Sequence, residues 1–204
     1  MQRPPLYNRT RTLTLVCTLL ILISNYPQPV VIPSTTNNKI TKKRFYKKIS
    51  VPTALAEWVS VAGLFSLPIM QQPEDNPIYV ANKSNILTQF QRATQNGVTG
   101  LLAHNFLSGK EFSKLQIGQK ISITYTDHNV RNYRVSSIYH YQKLDPSNLF
   151  SNLIDLNSGR ELSSSEIFNQ FYHGRHHVTL QTCLEEDGRL DWGLLFVVAL
   201  PISQ

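Results

Sequence analysis

Apolar and polar residues alternate along Val178-Thr179-Leu180-Gln181-Thr182-Cys183. On a strand, Val178 and Leu180 then share one face, and Thr179, Gln181 and Cys183 share the other. The same period of two runs through Ile121, Ile123 and Tyr125. It continues from Arg131 to Tyr141 through Tyr133, Val135, Ser137, Tyr139 and Tyr141. With the turn Asp127-His128-Asn129 between them, these two runs predict an antiparallel hairpin. Trp58 to Met70 contains Leu67-Pro68-Ile69 and predicts an edge strand, where proline is tolerated. Pro77 to Val80 predicts a short strand. Asn82 or Ser84 is placed to cap a helix over 85–95, with Ile86, Phe90 and Ala93 on one side and Asn96-Gly97 ending it. Val98 to Phe106 is an apolar strand ending near His104, and Ser108 to Leu115 is a loop with one helical turn. Residues 143–159 form a long connection. Ser163-x-x-Glu166 is a capping box opening a short helix that carries Ile167, Phe168 and Phe171. After the acidic loop 184–188, Trp192 to Leu200 is apolar on both faces, as in an enclosed barrel strand. Many short strands and few short helices predict an all-β domain with short helices, closed or nearly so.

The first fifty residues break this pattern. Met1 to Arg11 is basic (1–11). An uncharged apolar run follows from Thr12 and extends with two prolines to Ile32 (12–32). A polar and basic stretch rich in Pro, Ser, Thr, Asn and Lys fills 33–56. A basic start before an apolar run is the layout of a signal peptide or membrane anchor, and 33–56 reads as a linker. The compact domain is expected over 57–204. Charge follows the same division. The chain has a formal net charge of +7, but residues 1–50 hold nine Lys/Arg and no acid, whereas the remainder holds eleven Lys/Arg against thirteen Asp/Glu. The domain therefore lacks the basic excess that a phosphate backbone requires, and nucleic acid is not an expected partner.

There are two cysteines. Cys17 lies in the apolar N-terminal run, so a disulfide between it and Cys183 is not expected. Cys183 sits on the polar face at a strand end, which suits a reactive thiol better than a core residue. A thiol needs a base or cation beside it to form a thiolate near neutrality. Of the six histidines, His128 reads as solvated and His140 as surface. His173, His176 and His177 lack acidic or cysteine neighbours at ligand spacing, and no metal site is expected. His104 ends an otherwise apolar strand, which would deliver it to a loop junction. By itself, such a histidine is more often a satisfied structural residue than a catalyst. Arg189 is the nearest downstream arginine, in an acidic loop where a surface ion pair is its ordinary fate.

These residues together resemble the sortase family. Thr179-Leu180-Gln181-Thr182-Cys183 matches a Thr-Leu-x-Thr-Cys signature. Gly100-Leu101-Leu102-Ala103-His104-Asn105 resembles the strand end bearing that family's histidine. The order of His104, hairpin, Cys183 and last apolar strand is similar as well, over about residues 60–203. The resemblance implies a closed sortase-like β-barrel, held at the membrane outside the cytoplasm. It implies a cysteine transpeptidase in which Cys183 attacks a sorting-signal peptide bond of an exported protein, and an amine acceptor resolves the thioacyl enzyme. His104 would be the general acid/base, with Thr182 beside the substrate, and no cofactor is required. The sequence departs from the family at the arginine expected in the last strand. Trp192-Gly193-Leu194-Leu195-Phe196-Val197 places Leu194 there, beside the substrate, and leaves Arg189 as the replacement cation. A weakened peptide-binding module and a Cys-His peptide hydrolase remain the alternative readings.

Overall fold

The computed structural model describes residues 54–203. The segments 1–11 and 12–32, Cys17 and most of the linker 33–56 lie outside the described residues. Among those described, no helix is long and apolar enough to cross a membrane.

Ten strands make one sheet: β1 Ala56–Val61, β2 Phe65–Gln71, β3 Leu87–Gln89, β4 Thr99–Leu102, β5 Lys120–Tyr125, β6 Val130–Lys143, β7 Leu153–Asp155, β8 Glu161–Leu162, β9 Val178–Glu186 and β10 Arg189–Pro201. Two short α-helices, α1 Gln91–Gln95 and α2 Ser164–Tyr172, and a 3₁₀ helix at Ser108–Lys114 complete it. The strand order is β10-β9-β4-β3-β2-β1-β5-β6-β7-β8, and β10 also pairs with β6. That second pairing closes eight strands into a barrel, with β7 and β8 continuing outward from β6. Closure removes the exposed edges that an open all-β sheet would carry.

Two apolar layers follow from the alternation. The inner one fills the barrel with Val59, Leu87, Leu101, Ala103, Ile121, Ile123, Tyr125, Val178, Leu180, Leu195 and Val197, and Phe112 of the 3₁₀ helix joins it. The outer one packs α2 against the sheet, with Phe168, Phe171 and Tyr172 meeting Leu102, Tyr141, Cys183, Leu194 and Phe196. The Phe171 and Phe196 rings stack at 4.0 Å. The capping box is present, with the Ser163 hydroxyl accepting from the Glu166 amide and the Glu166 carboxylate accepting from the Ser163 amide.

Several local expectations are corrected. Trp58 to Met70 is a β1–β2 hairpin inside the barrel, not an edge. Pro68 is tolerated because the β3 ladder spans only Ile69 to Gln71 of β2, beyond the missing donor. Residues 77–80 form no strand. The expected helix over 85–95 is instead β3 followed by α1, and Asn85 takes a positive φ of 60° just before β3. Leu87, Thr88 and Gln89 are taken up by ladders to β2 and β4, which override the helical spacing. The acidic loop is mostly strand. β9 runs to Glu186 and turns back over Asp187-Gly188, both at positive φ (50° and 75°), the geometry of a two-residue hairpin turn. The tyrosines of β6 do not share one face. The pairing with β10 skips Ser136, since Val198 faces Ser137 and Ala199 faces Val135. This bulge leaves Tyr133 and Val135 inside and turns Tyr139 and Tyr141 out under α2.

Candidate functional site

The site lies in the second half of β9, on the outer face of the barrel, and because β9 runs on to Glu186, Cys183 is not at a strand end as expected. Val178 and Leu180 point inward, as their alternation predicts. Cys183 points outward, and α2 covers that face, so the residue is 2% exposed. Thr179 and Gln181 are buried on the same face. The Thr179 hydroxyl donates to the Phe171 carbonyl at 2.8 Å, and the Tyr172 hydroxyl donates to Gln181 Oε1. α2 is thus held down by polar bonds as well as by its aromatic rings. Cys183 is not a free thiol in the structure. The expectation that it does not pair with Cys17 falls on a residue outside those described.

The parallel pairing of β4 with β9 leads toward His104. β4 and β9 run parallel with Leu101 opposite Leu180 and Leu102 opposite Gln181. The Ala103 amide continues that ladder to the Gln181 carbonyl at 3.3 Å. Two further steps bring His104 level with Cys183 on the neighbouring strand, about 4.8 Å across by sheet spacing. The faces agree, because Ala103 belongs to the inner layer and Leu102 to the outer, so His104 turns outward as Cys183 does. The histidine is 5% exposed, and its Nδ1 has no hydrogen-bond partner. Its ring stacks on Phe106 at 5.2 Å. Burial lowers its pKa below the ordinary histidine value, and a backbone hydrogen bond with Val80 acts the other way. A neutral imidazole with an open nitrogen is suited to accept a proton.

The backbone around His104 is fixed by Gly109. Its amide and that of Leu107 both donate to the His104 carbonyl, at 2.9 and 3.0 Å. A Cβ on Gly109 would lie 2.2 Å from Thr182 Oγ1 and 2.7 Å from the His104 oxygen. Only glycine admits the 3₁₀ helix this close to the strand ends. Thr182 itself alternates away from Cys183. Its hydroxyl lies against Gly109, buried and without a partner.

Leu194 is the direct antiparallel neighbour of Cys183, and Tyr141 lies beyond it on β6. Cys183, Leu194 and Tyr141 therefore form one row on the outer face, and all three are buried. Arg189 is at the other end of the hairpin, exposed and opposite Glu186. Lys143, at the end of β6, was not singled out by the sequence. It is 3% exposed, and its Nζ has no hydrogen-bond partner. Burial lowers its pKa, while the charges of Asp191 and Asp145 raise it. The one hint in the chain is its place two residues after Tyr141 in the alternating run.

The remaining histidines are structural or exposed. His176 joins Tyr133 at 2.9 Å and the Gly97 carbonyl at 2.8 Å. His177 is held by the Arg175 and Phe171 carbonyls at 2.8 and 3.0 Å. His140 is exposed. Among the described residues no three His, Cys, Asp or Glu side chains gather at metal-binding range.

Four buried side-chain polar atoms lack a protein partner among the described residues: His104 Nδ1, Lys143 Nζ, Gln181 Nε2 and Thr182 Oγ1. Gln181 and Thr182 directly precede Cys183. His104 is level with it, and Lys143 ends the strand two places over. Buried polar groups are ordinarily satisfied, yet His104, Gln181 and Lys143 keep open atoms on the outer side with Cys183, and Thr182 keeps one on the opposite face, against Gly109.

No family model matches the chain, and no curated protein matches it. Solved structures do. Sortase A from Corynebacterium diphtheriae is 14% identical, with 74% of this chain and 61% of that chain covered at a TM-score of 0.50. Sortase C1 of Streptococcus agalactiae, in complex with MTSET, is 17% identical over 72% of this chain and 67% of that one, with a TM-score of 0.43. Sortase C-1 from Actinomyces oris is 14% identical over 72% and 73%, with a TM-score of 0.44. The chain has the sortase fold.

Proposed function

We propose that this protein is a sortase-type cysteine transpeptidase. In this reading Cys183 attacks a peptide bond of a sorting signal, and His104 takes the thiol proton and passes it to the leaving amine. An amine acceptor then resolves the thioacyl enzyme. The observation that supports the reading is the register of β4 on β9, whose continuation two residues past Leu102 and Gln181 leads to His104, a buried histidine with an open ring nitrogen, and to Cys183. The lowered His104 pKa supports it, because an imidazole neutral at pH 7 is available as a base. The substrate would be an exported protein or peptide. The domain over 57–204 would work outside the cytoplasm, tethered or secreted through 12–32. Leu194 beside Cys183 supports a second reading, a peptide-binding module of the same fold with little turnover, because leucine offers no donor to an oxyanion.

The test uses the purified full chain with a thiol reductant present, since Cys183 is not free in the structure. It is incubated with a library of Leu-Pro-x-Thr-Gly-like peptides and triglycine and read by mass spectrometry. A thioacyl adduct on Cys183 and a transferred product are expected, and both vanish in Cys183→Ala. Peptide binding with no adduct and no product in either protein would favour the binding module.

A further inference from the structure

Lys143 is the one charged side chain buried among the described residues. Its Nζ makes no hydrogen bond, and it belongs to none of the ion pairs in the described region. An ammonium taken out of water without a partner opposes folding, and an aliphatic residue there would avoid that penalty. The charge is therefore best explained by something outside the described fold that it receives.

The sheet register shows what lies near it. On the outer face, Tyr141, Leu194 and Cys183 form one row across β6, β10 and β9. Lys143 is two residues beyond Tyr141 and so shares this face. Two strand spacings across and two residues along put its Cα about 12 Å from that of Cys183. An extended lysine side chain covers roughly half of this gap, and an acyl group bonded to the sulfur covers much of the rest. The Tyr141 ring does not block the path, since it packs against Phe171 and Phe196 at 5.9 Å each, and Phe196 lies on the side of Leu194 away from Lys143. Gly193, opposite Gln142, alternates to the inner face, so on β10 the path is bordered by Leu194 and the half-buried Trp192.

We propose that Lys143 is the cation of this site, donating from β6 to the substrate carbonyl oxygen beside Cys183 where Leu194 has no donor to offer. This rests on the transpeptidase reading. When the Cys183 sulfur bonds to the substrate carbonyl carbon, the C=O π pair moves onto oxygen and the thiol proton goes to His104. The Lys143 ammonium hydrogen-bonds the oxyanion. The pair returns to carbon as the C–N bond breaks, and His104 delivers its proton to the leaving amine. Burial lowers the Lys143 pKa, and Asp191 and Asp145, acting at longer range, favour the charged form without occupying its donors.

Lys143→Met keeps the length and removes the charge. Acylation by the peptide library should fall about 10²–10³-fold, as for loss of an oxyanion donor, with little change in KM and no loss of thermal stability. Adding Leu194→Arg to Lys143→Met should recover a large part of the rate, which a merely structural lysine would not allow. Unchanged acylation in Lys143→Met, beside an active parent, overturns the inference. A parent that acylates no peptide overturns the transpeptidase reading instead, and Lys143 is then judged by binding alone. In the Cys183→Ala background, a product peptide ending in a threonine carboxylate should bind at least tenfold more weakly after Lys143→Met. Equal binding, or none in either protein, removes Lys143 as the receiving charge.

Discussion

The two ends of β9 carry similar polar side chains in opposite states. At its start, beneath Thr99, a chain of bonds is complete. Thr99 Oγ1 meets the Tyr125 hydroxyl at 3.1 Å, Tyr125 meets Tyr133 at 2.7 Å, Tyr133 meets His176 Nε2 at 2.9 Å, and His176 Nδ1 meets the Gly97 carbonyl at 2.8 Å. Nδ1–H donates to the carbonyl, and burial favours the neutral ring, in which Nε2 accepts from Tyr133. Burial lowers the His176 pKa, as it does that of His104, and it raises the pKa of both tyrosines. At the end of β9, His104, Gln181, Thr182 and Lys143 each keep an open atom. A histidine whose pKa is lowered by burial lies at both ends. What separates a structural histidine from a candidate base is whether both ring nitrogens are occupied.

The sharpest way to break this comparison is to delete each histidine. His104→Ala should lower acylation about 10²–10⁴-fold, the range for loss of general acid–base catalysis, with a small change in stability. His176→Phe should leave the rate within about twofold and lower stability by about 1–3 kcal/mol, because Tyr133 and Gly97 lose their partner. Single-turnover mass spectrometry and urea unfolding measure the two effects. Equal rate losses would mean that the open nitrogen at His104 has no bearing on function.

Much of this division was legible in the sequence. The alternation in β9 gave the correct faces of Val178, Leu180 and Cys183, and the capping box located α2. The strand expected to end at His104 is β4, which stops two residues earlier, at Leu102. Other features depend on partners far along the chain. Leu87 to Gln89 has helical spacing, and only its ladders to β2 and β4 make it a strand. The bulge at Ser136 leaves no local trace, yet it sends Tyr141 and Lys143 to the outer face. Lys143 was passed over because lysine is ordinarily exposed, and its burial is set by packing that alternation does not encode. The acidic residues 185–186 suggested a loop, but Asp187-Gly188 is the only true turn in that stretch.

Gly109 offers a second, smaller contrast. Gly109→Ala places a methyl group against Thr182 and the His104 carbonyl. It should destabilise the protein by about 1–3 kcal/mol, as overpacking does, and slow acylation by shifting His104. Gly118→Ala also carries strain, at a φ of 91°, but has nothing within 4 Å. It should lower stability while sparing the rate. Thermal melts and initial rates on both variants separate the effects, and matching rate losses would disconnect Gly109 from the site.

The smallest expected effect is on pH. His104 and His176 both have folded pKa values below the unfolded value of about 6.5. The unfolded chain therefore binds more protons as the pH drops below about 6.5. The stability contributed by the neutral rings is fully present above that pH and is lost as pH falls toward the folded values. Melting temperature should decline on acidification from pH 7 to 5, and less steeply in His176→Phe. A flat profile would show that neither ring is held neutral by the fold.

The parallel pairing of β4 with β9 also bears on when the site comes into being. His104 and Cys183 lie side by side only after about eighty residues of intervening chain have found their places, and closing so long a loop carries an entropic cost. β10, which pairs with both β6 and β9, is made after the thiol and is needed to shut the barrel. The barrel of a growing chain thus stays open until the strand from Arg189 to Pro201 has emerged. Non-local pairing of this kind folds slowly. The closed barrel is therefore available only once the domain is whole.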